Sequence, residues 1–275
     1  MPPSLLSRLR SRTTTPAPAG DPRDRPAGPP STAAPGSLAL DAGFFERFPD
    51  FYETSETSSH EWRLNLRHEA IFTANADLFA GARVLDIASH DGRWSMATLE
   101  AGAASVVGVE ARPELVDNAI ASLQKYGIDE SRFRFVAGDI FEVLARRDIE
   151  VDVVLCLGFL YHTQRHNELF TRIRQTGAQH LVIDTEVHRS DECVVRLADE
   201  DVERQGNAVA DEFSYGDRVL TGRPTLSALE LLGRNQGFEL EGLSDWDGLL
   251  RDNPDADKMR DYRIGRRTTV RFRRG

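Results

Sequence analysis

Two cysteines among 275 residues, Cys156 in an apolar run and Cys193 in a polar one, form no CxxC pair and no metal-ligand spacing. That excludes a disulfide scaffold and a cysteine-based metal site. Basic charge is also short. Against 44 acidic residues stand 34 lysines and arginines, and the net charge of −10 turns the molecule as a whole away from nucleic acid and anionic membranes. No run approaches the roughly 20 apolar residues of a membrane span, and no secretory apolar core lies near the N-terminus. What remains is the expectation of a soluble, cytoplasmic protein acting on a small molecule, with nucleic acid disfavoured, no membrane partner and a homodimer left open. Length and a hydrophobic fraction of 40% suit one sizeable α/β core with extensions.

Proline is plentiful in one place: nine of the 13 prolines fall in residues 1–36, a stretch without hydrophobic periodicity. A disordered tail is expected there. Arg8, Arg10 and Arg12 precede the first acid, Asp21, a composition superficially like an organelle transit peptide, but a proline-rich tail makes a poor amphipathic helix. Residues 37–80 read as a helical cap or lid. Phe44, Phe45, Phe48, Phe51 and Tyr52 form an aromatic cluster, and Ser58 to Phe79 reads as an amphipathic helix. Trp62, Leu66 and Phe72 are expected to face inward, and Arg63, Arg67 and Glu69 to face water.

From residue 81 to 275, short apolar runs alternate with helical stretches, the pattern of parallel βαβ units. Strands are predicted at Arg83–Ala88, Ser105–Glu110, Phe133–Ala137, Val151–Leu157, His180–Thr185, Phe238–Leu243 and Thr268–Arg273. Helices are predicted at 92–101, 113–126, 140–147, 165–176 and 225–235, the last with Thr225 as N-cap. The two late strands read as a terminal hairpin, one strand of which inserts antiparallel. Residues 190–221, acidic and without strong periodicity, read as a loop insertion over the acceptor side.

In an open parallel sheet, ligands bind beyond the carboxyl ends of the strands at the switch point, so the turn after the first strand matters most. That turn runs Asp86-Ile87-Ala88-Ser89-His90-Asp91-Gly92. The second strand ends in Glu110, an acid about 20 residues after the loop, placed to accept hydrogen bonds from ribose hydroxyls. The third strand leads to Gly138-Asp139-Ile140. Asp139 alone is equally well read as a helix N-cap, but three acids at the tips of three successive strands form an ordered set. The G-x-G-x-x-G fingerprint of a dinucleotide site is absent.

The run VLDIASHDGRW resembles motif I of class I methyltransferases. The resemblance implies a Rossmann-like, doubly wound, mostly parallel seven-stranded α/β sheet with an antiparallel last strand and an N-terminal helical cap. It also implies S-adenosyl-L-methionine as cofactor, with Asp86, Ala88, Ser89, Gly92, Glu110, Asp139, Ile140 and Gly158 around it. Ala88 and His90 stand where that motif usually has glycine, a departure expected to narrow the pocket or weaken binding. Further on, LCLGFLYHT, LVIDTEV, GDRV and PTLSALELLGRNQGF look like the tRNA wobble-uridine carboxymethyltransferases and their small-molecule relatives, over roughly residues 82–245.

In the resembled family the end of the fourth strand lines the methyl-transfer channel, which nominates Gly158, Phe159, Tyr161 and His162. His162 is the first choice for a general base, and a histidine that merely bonds across the loop is the alternative. Tyr161 reads as a pocket wall. Period-2 alternation puts Asp184, Glu186 and His188 on one face, an arrangement suited to a polar acceptor more than to a divalent metal, because Leu157 and Gly158 offer no carboxylate partner. No metal is expected. The arginine-rich C-terminal stretch reads as a solvated strand face, or less favourably as a site for phosphate, carboxylate or RNA. The function expected is methyl transfer to oxygen or nitrogen of a small metabolite. An RNA-modifying methyltransferase and a non-catalytic cofactor-binding protein are the alternatives.

Overall fold

The computed structural model describes residues 43–53, 61–204, 206–254, 256 and 259–275. The expected proline-rich tail at 1–36 lies outside the described residues.

Nine strands form in chain order: β1 Arg83–Ile87, β2 Ser105–Glu110, β3 Phe133–Ala137, β4 Val153–Leu157, β5 His180–Glu186, β6 Val195–Asp201, β7 Arg218–Pro224, β8 Phe238–Leu243 and β9 Arg267–Arg274. Seven make one sheet in the order β3-β2-β1-β4-β5-β9-β8. Its first five strands run parallel, and β9 enters antiparallel between β5 and β8. The reversal of strand order at β1 and β4 is the switch point where a ligand cleft forms.

The central strands are buried on both faces, which is why they read as apolar runs without polar alternation. Leu85, Ile87, Val154 and Cys156 pack on one side with Phe141, Leu169, Phe170, Leu229 and Phe238. Val84, Val106, Val153 and Leu155 pack on the other with Trp94, Leu123 and the cap aromatics. Cys156 belongs to this core, its thiol pushed up to about 12 by burial, and is chemically quiet.

The helices are α1 Phe44–Arg47, α2 Asp50–Glu53, α3 Glu61–Ile71, α4 Arg93–Glu100, α5 Pro113–Lys125, α6 Ile140–Ala145, α7 His166–Gln175, α8 Leu226–Asn235, α9 Trp246–Asp252 and α10 Arg260–Arg263. Thr225 caps α8 as expected, its hydroxyl accepting from Ala228 N–H. No helix among the described residues is long and apolar enough to cross a membrane.

The cap differs from the amphipathic reading in two ways. α3 stops at Ile71 because Asn75 leaves helical geometry (φ −126°) and its side-chain amide bonds the Ile71 carbonyl at 2.9 Å. A 3-10 segment follows over Thr73–Leu78. Its facing is also rotated: Trp62 is 57% exposed, while Leu66 and Phe72 are buried as expected. Arg63 and Arg67, expected in water, turn toward the sheet's carboxyl edge, where carboxylates await them.

Residues 190–221 contain more than a loop. β6 and β7 form a two-stranded antiparallel ribbon from Val195↔Pro224 to Asp201↔Arg218. Val195, Leu197 and Leu220 on it remain exposed while Glu200 and Thr221 are buried beside Val219, so burial on the ribbon does not follow hydrophobicity and leaves no period for sequence to reveal.

The described residues from Gly43 onward form one compact unit, and aromatic rings join the cap to the sheet. Phe45, fully buried, meets Trp94 of α4 edge-on at 5.5 Å, and Phe72 stacks on the same indole at 5.8 Å. Phe45→Ala should therefore cost about 3–5 kcal/mol. The expected reading is a lower urea midpoint with an unchanged m-value; an unchanged midpoint would mean that the cap adds no stability.

Candidate functional site

The loop after β1 departs from glycine in residue type and keeps glycine's conformation. Ala88 and His90 both lie in the left-handed region at φ 54°, and Gly92 follows at φ 80°. Each non-glycine residue there costs about 1–2 kcal/mol. The expected narrowing has this local counterpart: the chain keeps the tight turn and carries the strain. Gly92 itself is required by packing, since a Cβ would sit 2.9 Å from the Ala119 methyl of α5.

Hydrogen bonds hold the strained loop. Ser89 N–H donates to the Val109 carbonyl and His90 N–H donates to the Glu110 carboxylate, both at 3.0 Å. Asp91 receives Arg93 through two nitrogens at 2.7 and 2.9 Å. Burial would raise the Asp91 pKa, but Arg93 and His90 hold it well below the usual carboxylate range.

A cleft of about 820 Å³ opens along the carboxyl edge of the sheet. Ala88, Glu110, Asp139, Ile140 and Gly158 line it, together with Tyr161 and His162. Glu110 is nearly buried, with one oxygen on His90 N–H and the other on Arg112 N–H. Asp139 does cap α6, through one oxygen that accepts from Phe141 and Glu142 N–H, and it also faces the cleft.

Asp86, Ser89 and Gly92 sit behind this lining. Asp86 is wholly buried; Ser95 donates to its Oδ2 at 2.7 Å, while Oδ1 is buried without a partner. Burial, helped by Asp91 and Glu110, pushes its pKa up to about 7 against the donation from Ser95. The Ser89 hydroxyl is likewise buried without a partner.

His162 follows β4 in a 3-10 turn, and its Nδ1 lies 2.8 Å from Glu200 Oε2 on β6. Burial would raise the Glu200 pKa, but His162, the Ala208 N–H and Arg223 bring it below the ordinary value. An ionised carboxylate only accepts, so Nδ1 carries a proton toward it, and in the neutral ring Nε2 presents its lone pair. Among the described residues Nε2 has no hydrogen-bond partner. Sequence spacing gave no sign of Glu200, because the ribbon brings it from 38 residues away.

The three acceptor candidates on β5 and just after it lie outside the cleft lining. Asp184 is fully buried outside the cleft lining and accepts from Arg67, Arg267, Tyr262 and Thr269. Burial would raise its pKa; Arg267 and Arg67 hold it well below the usual range. Glu186 pairs with Arg223 at 2.6 Å, and the His188 N–H bonds the Pro224 carbonyl, joining the end of β5 to the ribbon. Among the described residues no group of three His, Cys, Asp or Glu could hold a metal ion. Among the cleft residues that the sequence reading missed are Arg63, Arg67, Trp94, Glu114 and Arg267. The one available signal was the spacing of Arg63 and Arg67, one helical turn apart on a single face.

Residues 84–178 match the methyltransferase domain family. The sheet that carries this segment has the Rossmann-like fold of class I methyltransferases. No curated protein matches the chain. Among solved structures, the N-terminal domain of EvdMO1 with SAH bound is similar at 18% identity and TM-score 0.55, over 80% of this chain and 85% of that one. An S-adenosylmethionine-dependent methyltransferase from Mesorhizobium loti is 15% identical at TM-score 0.52, over 76% of this chain and all of the other. Magnesium protoporphyrin IX methyltransferase from Synechocystis, with bound SAH, is 13% identical at TM-score 0.52, over 83% and 94% of the two chains. At these identities the likeness is one of fold.

The buried acid at the tip of β1 gives a pH prediction. The folded pKa of Asp86 lies above the unfolded value of 3.8, so its protonated form contributes stability that is complete below pH 3.8 and lost as pH rises through about 7. Asp86→Asn, which stays neutral, should gain on the parent from pH 4 to 7 and hold a level advantage above, on the order of 4 kcal/mol in total. Urea unfolding across that range checks this; a pH-independent difference refutes it.

Proposed function

We propose that this chain transfers the methyl group of S-adenosyl-L-methionine to a nucleophilic oxygen or nitrogen of a small metabolite. The observation that carries the reading is one cleft with Glu110 and Asp139 toward β2 and β3 and the His162–Glu200 pair beyond β4.

The residues suit that cofactor. Glu110 offers free lone pairs beside its two backbone donors, in position for ribose hydroxyls. Asp139 keeps a second oxygen for the adenine amino group, with Ile140 beside it to pack on the ring. The unpartnered Oδ1 of Asp86 behind the β1 loop suits an ammonium group, directly or through water. The cleft volume, about 820 Å³, is in the upper part of the range for small-molecule sites and leaves room for an acceptor.

When bound, S-adenosyl-L-methionine supplies an electrophilic methyl group on sulfur. The protein must align the acceptor and take its proton. Alignment contributes several kcal/mol, and His162 Nε2 is the acceptor for the proton as the new bond forms. Glu200 is a positioning residue: it fixes the tautomer and steadies the imidazolium that results. An RNA acceptor finds less support, since Arg271 is paired with Glu241 and Asp77, Arg273 with Glu241, and Arg267 is buried on Asp184.

Calorimetry with S-adenosylhomocysteine tests the cofactor, and Glu110→Ala should weaken it about tenfold or more, matching the roughly 1.5–3 kcal/mol of charged hydrogen bonds. Labelled cofactor with a metabolite extract tests the transfer. His162→Ala should lower the labelling rate about 10²- to 10⁴-fold, and Glu200→Gln should lower it less, both with cofactor affinity retained. No binding at millimolar ligand would sink the reading.

A further inference from the structure

The cleft is electrically polarised. Its β2–β3 end carries Glu110, Glu114 and Asp139 against Arg112, which Glu110 engages at 3.7 Å, whereas its β5–β9 end carries Arg63, Arg67 and Arg267. At that second end the charges do not balance. Arg63 is matched by a two-pronged pair with Asp261 at 2.6 and 2.9 Å. Arg67 and Arg267 share a single carboxylate, Asp184, at 3.1 and 2.7 Å. Asp184 also accepts from Tyr262 and Thr269, so it is saturated with donors yet neutralises only one of the two guanidiniums.

Both arginines are largely buried, with side-chain exposures of 12% and 7%, and the Arg67 Nε is buried without a partner. A surplus buried cation is costly unless an anion meets it. Arg267 also stands at the place of transfer: a Cβ on Gly158, at the tip of β4, would lie 3.3 Å from its Nη2, and its Nη1 donates to the Tyr161 hydroxyl at 3.4 Å. In a chain of net charge −10, such a local cation is what allows an anionic ligand to enter.

We propose that the acceptor is an acid, and that its carboxylate or phosphate docks on Arg67 and Arg267 beside Tyr161. This rests on the methyl-transfer reading. The cofactor's own amino-acid carboxylate has the same chemistry and is the rival ligand for Arg67, whose guanidinium lies over the Trp94 ring of α4 at 5.0 Å, close to the β1 loop; Arg267 stands on β9, three strands from β1.

The test uses the full chain saturated with S-adenosylhomocysteine, with benzoate and phenyl phosphate as anionic probes and benzamide as their neutral counterpart. The anions should bind about tenfold or more tighter than benzamide. Arg67→Met should abolish that preference, Arg67→Lys should keep much of it, and both should leave S-adenosylhomocysteine affinity unchanged. Equal binding of charged and neutral probes, no binding of any, or a preference that survives Arg67→Met overturns the proposal. So does a loss of S-adenosylhomocysteine affinity in Arg67→Met with 5′-methylthioadenosine affinity intact, which would assign the arginine to the cofactor. Failure of the wild type to bind S-adenosylhomocysteine would instead refute the methyl-transfer reading itself.

Discussion

Asp184 gathers donors from three separate parts of the chain: Arg67 of α3, Tyr262 of α10, and Arg267 and Thr269 of β9. It lies at the carboxyl half of β5, wholly excluded from solvent, so every one of its lone pairs must be met inside the protein. Removing one partner from such a buried network typically costs 3–5 kcal/mol. The cap thus closes on the sheet by charge as well as by aromatic packing, and β9 is pinned at the end where it enters the sheet. The same contacts turn Arg67 and Arg267 toward the cleft, so the constraint that closes the fold also sets the electrostatics of the cleft's β5–β9 end.

A second constraint acts through the β6–β7 ribbon. Its outer face is poorly buried, yet it is fixed where function requires. Gly222 N–H donates to the Thr163 carbonyl, and the His166 Nε2 lies 3.1 Å from both the Leu160 and Gly222 carbonyls. These contacts lock the ribbon to the turn that carries His162 and bring Glu200 within reach of its ring. A histidine on so short a turn would otherwise have little to hold its orientation.

What could be read from the sequence follows from where structure is decided locally. β2, β3 and β8 begin and end where predicted, and α8 begins after Thr225, because short apolar or alternating runs bounded by turn residues and a capped helix announce themselves over a few residues. Glu110 and Asp139 were legible for the same reason, since strand tips in a parallel sheet converge on one edge. Asp184 was legible as a buried-strand acid and misleading as a ligand, since its partners come from residues 67 and 262–269, and no local pattern signals that they would consume it. Arg63 and Arg67 look like the solvent face of a helix until the carboxylates of Asp261 and Asp184 claim them. Burial of a charge depends on distant partners, and periodicity carries no trace of those.

The loop after β1 shows why residue type alone underrates such a site. What a phosphate-free nucleoside cofactor needs there is a backbone that turns sharply and approaches closely; glycine is the usual means, at little steric cost. Here Ala88 and His90 adopt the same left-handed backbone, and strain of this kind persists only where surroundings over-determine it. They do so through the Ser89–Val109 and His90–Glu110 hydrogen bonds and the Asp91–Arg93 pair. Because His90 N–H bonds the Glu110 carboxylate, the strain in one strand tip is tied to the orientation of the acid on the next. The two features that define the cofactor end of the cleft are therefore mechanically one, and a change relaxing the loop would be felt at Glu110.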